Sequence, residues 1–476
     1  MRCLVARVFL AGIAWFGAVA CGDASVATPA DGGVEAAVDA DAADGALPLT
    51  AVRWGKSAGD GSSQFGYGVA VDGTGNVFIV GEYGGAIDFG AGAIDNPKGS
   101  AISGFVTKFD RTGKPIFSRR IGSSTDASAY AVATDEAGHV YVVGWFMGEL
   151  SIEGTKLVSG GETDGYLIEL DGEGRLVFAQ RYGGPGSQEI NAVAVSKDGI
   201  AIAGDFDGTF DLGGPPVTSA GTLDVFVAKL DRDKKHVFSR RYGGVDKDQR
   251  PRVAFARDGG LFVAGSYRSP VDLGDGPLAD RYDGAFLLRL SATGERIFGK
   301  GFVGDGWQFP TGLSVDASGR VAMGGRFTRT VDLGAGPLAS VSGEDAWLAV
   351  FADDGKLGWS QRFGGFNQDA ISGLAFEPSG ALWVAGELAE TLGPLTSAGE
   401  ADAFVARFDS KGTLDYSLRF GDAAEQRATK IAIDPLGGAV VVGSFFGAID
   451  AGKLHLGSNG GFNRNGGDAF VISLGP

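Results

Sequence analysis

The sequence predicts an all-β fold: a seven-bladed β-propeller of four-stranded antiparallel blades, closed by an N-terminal strand. Three observations predict it. A hydrophobic, β-branched segment recurs seven times at intervals of 57 to 63 residues, marked by Gly81, Gly144, Gly204, Gly265, Gly325, Gly386 and Gly443. Tight-turn sequences separate short apolar runs, and no segment sustains a helical period. The last copy stops one strand short, while a matching strand stands before the first copy.

The bulk composition fits a repeat architecture. At 476 residues the chain exceeds what one compact core usually supports. Gly at 82 residues suits either many tight turns or disorder, and 44% hydrophobic with 10% aromatic residues excludes disorder over most of the chain. A formal charge of −17 gains nothing from phosphate backbones, so nucleic acid is not an expected partner. Cys3 and Cys21 are the only cysteines, which removes disulfides and thiolate metal sites from residue 22 onward. His139, His236 and His455 fall at unlike positions of different repeats, so no histidine-based metal or haem site is expected. No cofactor is expected either.

Residues 1–20 have the form of a signal peptide. Arg2 and Arg7 precede the apolar run Val8 to Ala20, which is too short to span a bilayer as a stable helix. The run ends Ala18-Val19-Ala20-Cys21, similar to the bacterial lipobox, with Ala18 where Leu is usual. Lipidation of Cys21 is the expectation, because an exported chain whose single mature cysteine is its first residue is otherwise odd. The same Ala-x-Ala also suits ordinary signal peptidase, which would leave Cys21 free. Residues 21–50 continue as an Ala- and Asp-rich tether without aromatics or apolar period. Asp39, Asp41 and Asp44 within it lack EF-hand spacing and belong to a solvated linker.

The propeller is expected over 51–476. In the first repeat the strands are Gly68 to Asp72, Val77 to Tyr83, Phe105 to Asp110 and Pro115 to Ile121. Strands one and two join through Asp72-Gly73-Thr74-Gly75-Asn76, strands three and four through Asp110-Arg111-Thr112-Gly113. An acid first and a glycine last mark a type I turn closed by a glycine bulge. Two such hairpins per repeat make a four-stranded blade. The chain ends just after a third strand, and Arg53-Trp54-Gly55-Lys56 matches the fourth-strand pattern of Phe117-Ser118-Arg119. The N-terminal strand is therefore expected to complete the seventh blade.

These repeats carry a resemblance. Asp402-Ala403-Phe404-Val405-Ala406-Arg407-Phe408-Asp409, an aromatic strand ending Arg362-Phe363-Gly364-Gly365, and the run Val77-Phe78-Ile79-Val80-Gly81 are similar to the bacterial β-propeller repeat called SBBP. The resemblance covers nearly all of 51–476. It implies the fold and an envelope or secreted setting, and implies no particular activity.

Binding on a propeller is expected on the face that carries the longer loops, from strand two to three and from each blade to the next. The blade-to-blade loops place a polar residue at one position: Gln64, Asp126, Gln188, Asp248, Gln308, Asp369 and Gln426. These seven side chains ring the channel mouth for a ligand, or they bond loop backbone. The two-to-three loops repeat Asp88, Asp211, Asp272, Asp332 and Asp450, as cation ligands or as turn caps. Trp307 stands where other blades have small or polar residues, and either stacks on a sugar or plugs the neighbouring blade. Arg120, Arg181, Arg241, Arg362 and Arg419 recur on the outermost strand, where charge discourages edge pairing.

No catalytic constellation emerges. The acids fall mostly in repeated turns, whereas catalysis needs one asymmetric site, and no nucleophile elbow appears. The expected function is non-enzymatic: a monomeric lipoprotein, exported and anchored in the bacterial cell envelope at the outer membrane or cell surface. It presents the propeller to a protein or glycan partner and touches the membrane through its lipid. The alternative is an envelope glycan hydrolase or lyase with a carboxylate site on the long-loop face.

Overall fold

Most hairpins in the propeller start from one piece of local chemistry. The Asp72 carboxylate accepts the N–H groups of Thr74 and Asn76, each at 2.9 Å, and Gly75 turns the chain at φ +85°. Asp110 does the same for Thr112 and Lys114 at 2.8 and 3.0 Å, with Gly113 at φ +81°. The carboxylate satisfies turn donors that the ladder leaves over, which fixes turn and register together.

The computed structural model describes residues 51–475 apart from 97–100, 248, 269, 275, 279–282, 436 and 460–466. The signal peptide, Cys21 and the tether lie outside the described residues, as does Asp248. The described chain is built from seven four-stranded antiparallel sheets. In blade 1 the strands are Gln64–Val71, Val77–Tyr83, Ser103–Phe109 and Pro115–Ser123. The first strands of blades 2 to 7 are Ala127–Thr134, Gln188–Ser196, Gln249–Phe255, Gln308–Val315, Ala370–Phe376 and Gln426–Ile433. These first strands pack against one another around the central channel.

The seventh blade closes as the strand count predicts. Its order is Ala51–Ala58, Asp468–Gly475, Ala439–Phe445, Gln426–Ile433. Arg53 adds an ion pair to Asp434 at 2.6 Å. Seven apolar clusters hold the ring, one at each blade boundary; the closing one joins Ile79, Phe105 and Phe109 of blade 1 to Val440, Val442 and Val471 of blade 7. Each fully buried Phe contributes about 2–3 kcal/mol.

Neighbouring blades also latch at the turn between strands three and four. Gly174 sits against the ring of Phe117, Gly294 against Phe238, Gly355 against Phe298 and Gly412 against Trp359, so close that a Cβ would fall 2.4 to 2.8 Å from ring atoms. The glycine carbonyls then accept Arg119 Nε at 3.3 Å and Arg240 Nε at 3.0 Å. These glycines serve both a left-handed turn and a close approach.

Three features depart from the sequence expectation. The first strand of blade 1 begins at Gln64, not Gly68, because a bulge at Tyr67 interrupts the alternation that marks a strand. The two-to-three loops are not open: each carries a short hairpin of its own, such as Glu149–Ile152 with Thr155–Val158, which also adds onto the outer edge of blade 1. The outer arginines have a different task from edge protection. Arg181 pairs with the fully buried Asp164 at 2.6 Å, Arg241 with Asp224 at 2.6 Å and Arg419 with Asp402 at 3.0 Å. Each of these aspartates opens a third strand and also accepts a loop N–H, such as that of Gly160 at 2.8 Å.

Candidate functional site

The repeated polar residues of the blade-to-blade loops do not line an open mouth. Gln64, Gln188, Gln308, Asp369 and Gln426 are buried. Gln188 accepts from Gly184 N at 2.7 Å and donates to Asp207 O at 3.1 Å. Gln308 donates to Gly306 O and Thr330 O, and Gln426 donates to Phe446 O. Gln64 donates to Asp60 and Gly84 O, while Asp369 accepts from Gly365 and Ala389. Burial raises the Asp369 carboxyl to about 6 despite those N–H bonds. Asp126, half-buried, accepts from Ala101 and Ile102. Burial of loop backbone demands these partners, so the side chains are taken up by the loops themselves.

Four of the five repeated loop aspartates cap the turns of the short hairpins, and Asp450 pairs with His455 at 2.7 Å. Gly90 donates to Asp88 at 2.6 Å, Gly213 to Asp211 at 2.7 Å, Gly274 to Asp272 at 2.6 Å and Gly334 to Asp332 at 2.8 Å. Among the described residues no group of three His, Cys, Asp or Glu is placed to hold a metal ion.

The asymmetric chemistry sits one residue further along each first strand, where the strand opens at the long-loop end of the channel. There the cross-strand pairs of blades 1, 2, 3 and 5 are Phe65 with Glu82, Ser128 with Trp145, Glu189 with Asp205 and Phe309 with Arg326. Those of blades 4, 6 and 7 are Gln249 with Ser266, Ala370 with Glu387 and Arg427 with Ser444. No two blades share a pair. The layer is acidic on blades 1, 3 and 6 and cationic on blades 5 and 7.

Blades 1 to 3 bring the acids together with tyrosines. Tyr67 donates to Glu82 at 2.8 Å and meets Tyr130 edge-on at 5.6 Å. Burial raises the Glu82 carboxyl and holds both phenols well above the usual tyrosine range. Burial pushes Glu189 up to about 7. Burial and the facing Glu189 push Asp205 up to about 8.

Blade 4 supplies the opposite charge. Arg250 takes φ +59°, a left-handed conformation that costs a side-chain-bearing residue about 1–2 kcal/mol. Its N–H is held by Asp205 of blade 3 at 2.9 Å. Its guanidinium and that of Arg326 lie 5.9 and 5.7 Å from the Phe309 ring centre. Arg326 pairs with Glu344 at 3.0 Å, and Arg427 with Glu387 at 2.8 Å.

Trp307 stands at the rim of this layer, directly before the first strand of blade 5. It does not plug the neighbouring blade: it is 47% exposed, and its ring partner is Phe309 of its own blade at 6.5 Å. Its backbone is pinned by Thr328, through N–H to Oγ1 at 2.9 Å and C=O to N–H at 3.0 Å. Val245, Val303, Val341 and Phe366 are also exposed in the long loops from blade 3 to blade 6. Of the expected site residues, only Trp307 joins the asymmetric layer. Glu82, Glu189, Asp205, Arg250, Arg252, Arg326 and Lys430 escaped sequence reasoning, which followed what repeats. The signal was present as its converse: charged residues at repeat positions where sibling blades carry other types, as Arg252 and Lys430 stand against Gly68, Ala131, Ala192, Gly312 and Gly373.

Fold and site define a seven-bladed β-propeller whose channel mouth is different on every side. No family model matches the chain. The regulatory protein FlaEY of Caulobacter vibrioides is 26% identical over 203 residues, which is 40% of this chain and 21% of that protein. The chain thus spans about a fifth of the curated relative it matches. Among solved structures, the WD40 domain of Neurospora crassa Pan2 is 12% identical at a TM-score of 0.41, covering 87% of this chain and 89% of that one. An ulvan lyase, a polysaccharide lyase, is 9% identical at a TM-score of 0.44, covering 82% of this chain and 91% of that one. At these levels the likeness concerns the fold alone.

Proposed function

We propose that this chain is a cell-envelope lipoprotein that presents its propeller to a protein or glycan partner, which it binds without chemical turnover at the long-loop mouth. The observation that carries this reading is the asymmetry of that mouth. Exposed Trp307 and Phe366 stand in the loops beside a layer in which every blade presents a different pair, with acids on blades 1, 3 and 6 and arginines on blades 5 and 7. Exposed aromatic surface beside fixed charge is what a specific partner uses. The repeats support the fold of this reading, and the lipobox-like Ala18-Val19-Ala20-Cys21 supports its anchor. Several acyl chains, at about 0.8 kcal/mol per buried CH₂, give stable membrane attachment.

Cys21→Ala separates anchor from partner. The variant is expected in the soluble fraction, and attachment that persists overturns the lipid anchor. In soluble form it is then tested on a glycan array and against isolated envelope proteins. Saturable binding that drops about tenfold or more with Trp307→Ala is expected, as for a central aromatic contact. Binding that ignores Trp307→Ala removes that residue from the site.

A second reading has its own observation. Glu189 and Asp205 face each other and hold protons near neutrality, as a general acid in a glycan hydrolase or lyase must. Under that reading the protein cleaves an envelope polysaccharide, releasing new reducing ends, and Glu189→Gln abolishes the cleavage. Cleavage that survives Glu189→Gln removes the pair from the chemistry.

A further inference from the structure

We propose that the channel below the mouth is an oxyanion site formed by Arg252 and Lys430, which takes a sulfate, phosphate or carboxylate group. The site goes beyond the partner reading and rests on it only for where the ligand enters.

The two cations come from first strands of different blades, at repeat positions where the other five carry Gly68, Ala131, Ala192, Gly312 and Gly373. They nevertheless converge. Arg252 Nε and Lys430 Nζ donate to the same carbonyl oxygen, that of Thr311, at 2.8 and 3.0 Å. Thr311 is a bulge residue between Pro310 and Gly312, so its carbonyl is not committed to the ladder beside it. Lys430 also reaches the bulge carbonyl of Ser372 at 3.4 Å, and Arg252 Nη1 donates to Pro251 O at 3.0 Å.

Backbone carbonyls alone, that of Thr311 shared and those of Ser372 and Pro251 serving one cation each, compensate two buried cationic groups less well than a carboxylate would. Neither cation forms a salt bridge with a carboxylate among the described residues. The charged groups acting on them are Arg250 and Asp205, and Asp205 keeps its proton up to about 8. Burial and Arg250 push Arg252 down to about 10, while burial and Arg252 lower Lys430 well below the usual lysine range. By area both residues are only partly buried. Two desolvated cations that meet without a counter-ion, with donors to spare on guanidinium and ammonium, have the chemistry of an oxyanion site.

The test uses the full chain carrying Cys21→Ala and inorganic sulfate as probe, with choline chloride at matched ionic strength as control. Saturable sulfate binding by calorimetry is expected, with a rise in thermal midpoint beyond the control. Lys430→Met and Arg252→Met should each weaken that binding about tenfold, the loss of one charge-assisted bond. Folding of each variant is checked by the cooperativity of its melt. Because Met can also relieve the repulsion, a variant that melts higher yet ignores sulfate supports the site. Glucuronate against glucose tells the source: glucuronate binding at least as tight as sulfate marks the site as receiving the acid group of a larger ligand, and sulfate alone marks a free ion. Absence of saturable sulfate and glucuronate binding overturns the site, as does binding unchanged in both variants. Neither result bears on whether Trp307 binds a partner, so the two readings fail separately.

Discussion

Glu189 and Asp205 stand directly opposite each other on adjacent strands of blade 3, two acids in one cross-strand pair at the channel mouth. Like charges in that position oppose folding when both are ionised. The pair tolerates burial by keeping protons: Glu189 is pushed up to about 7 and Asp205 to about 8.

The sign of the pH dependence follows from that. A carboxyl whose folded pKa lies above its unfolded value stabilises the folded state while protonated. Below about pH 4 both states hold the protons and the pair costs nothing. Between about 4 and 8 unfolding releases protons, so stability falls as pH rises, and above that window the full cost is present. Asp205→Asn is expected to flatten this slope between pH 5 and 8 and to gain about 1–3 kcal/mol at pH 8. The loss of the Arg250 N–H acceptor is small here, because the Asn oxygen accepts it equally. Urea unfolding at pH 5 and pH 8 measures it, and an unchanged slope would falsify the assignment.

The closure strand gives a second prediction. Removing residues 1–50 leaves Ala51–Ala58 on blade 7, whereas removing 1–58 strips its outer strand and the Arg53–Asp434 pair. The shorter deletion should melt like the whole chain. The longer one should lose cooperativity at the junction of blades 7 and 1, where Trp54 packs 5.6 Å from Phe109 and bonds Arg111 O. Trp54→Ala alone is expected to cost about 2–3 kcal/mol, the low end for a tryptophan because it is only partly buried. Equal melting of the two deletions would contradict the closure.

The turn glycines separate two effects. Gly336 takes φ +97° with open space where a Cβ would stand, whereas Gly412 takes φ +87° under the Trp359 ring. Gly336→Ala therefore meets backbone strain alone, about 1 kcal/mol. Gly412→Ala adds a collision at 2.8 Å and should cost about 2–4 kcal/mol. Equal costs in chemical denaturation would mean that the ring simply moves aside.

The fold was legible because each repeat states the same local facts. Asp72 and Gly75, or Asp110 and Gly113, announce a hairpin whatever surrounds them. The missing fourth strand was equally local, since Trp54 repeats the pattern of Phe117 and Trp359. What stayed hidden depends on partners distant in sequence. Nothing near Arg252 or Lys430 says that both reach Thr311, which lies 59 and 119 residues away. The ring of Gln64, Gln188, Gln308 and Gln426 was visible, but its burial was not, because hydrophilic side chains at loop ends read as surface. Trp307 alone was found from its departure from the repeat; the same test at the next strand positions reaches Glu82, Glu189 and Asp205.

The outer arginines offer the last prediction. Arg241 holds Asp224 at 2.6 Å, and the same carboxylate caps the loop through Ala220 N at 2.7 Å. The aspartate is fully buried, while the arginine is about one-third exposed. The two truncations are therefore unequal. Arg241→Ala leaves a buried carboxylate that still has its N–H bond, and is expected to cost about 3–4 kcal/mol. Asp224→Ala leaves an arginine that can turn to water and a loop N–H without its acceptor, and should cost about 1–3 kcal/mol. The double variant should cost clearly less than the sum, since each single change strands the other partner. If the two losses simply add in urea unfolding, the pair does not act as a unit and the arginine serves the blade edge after all.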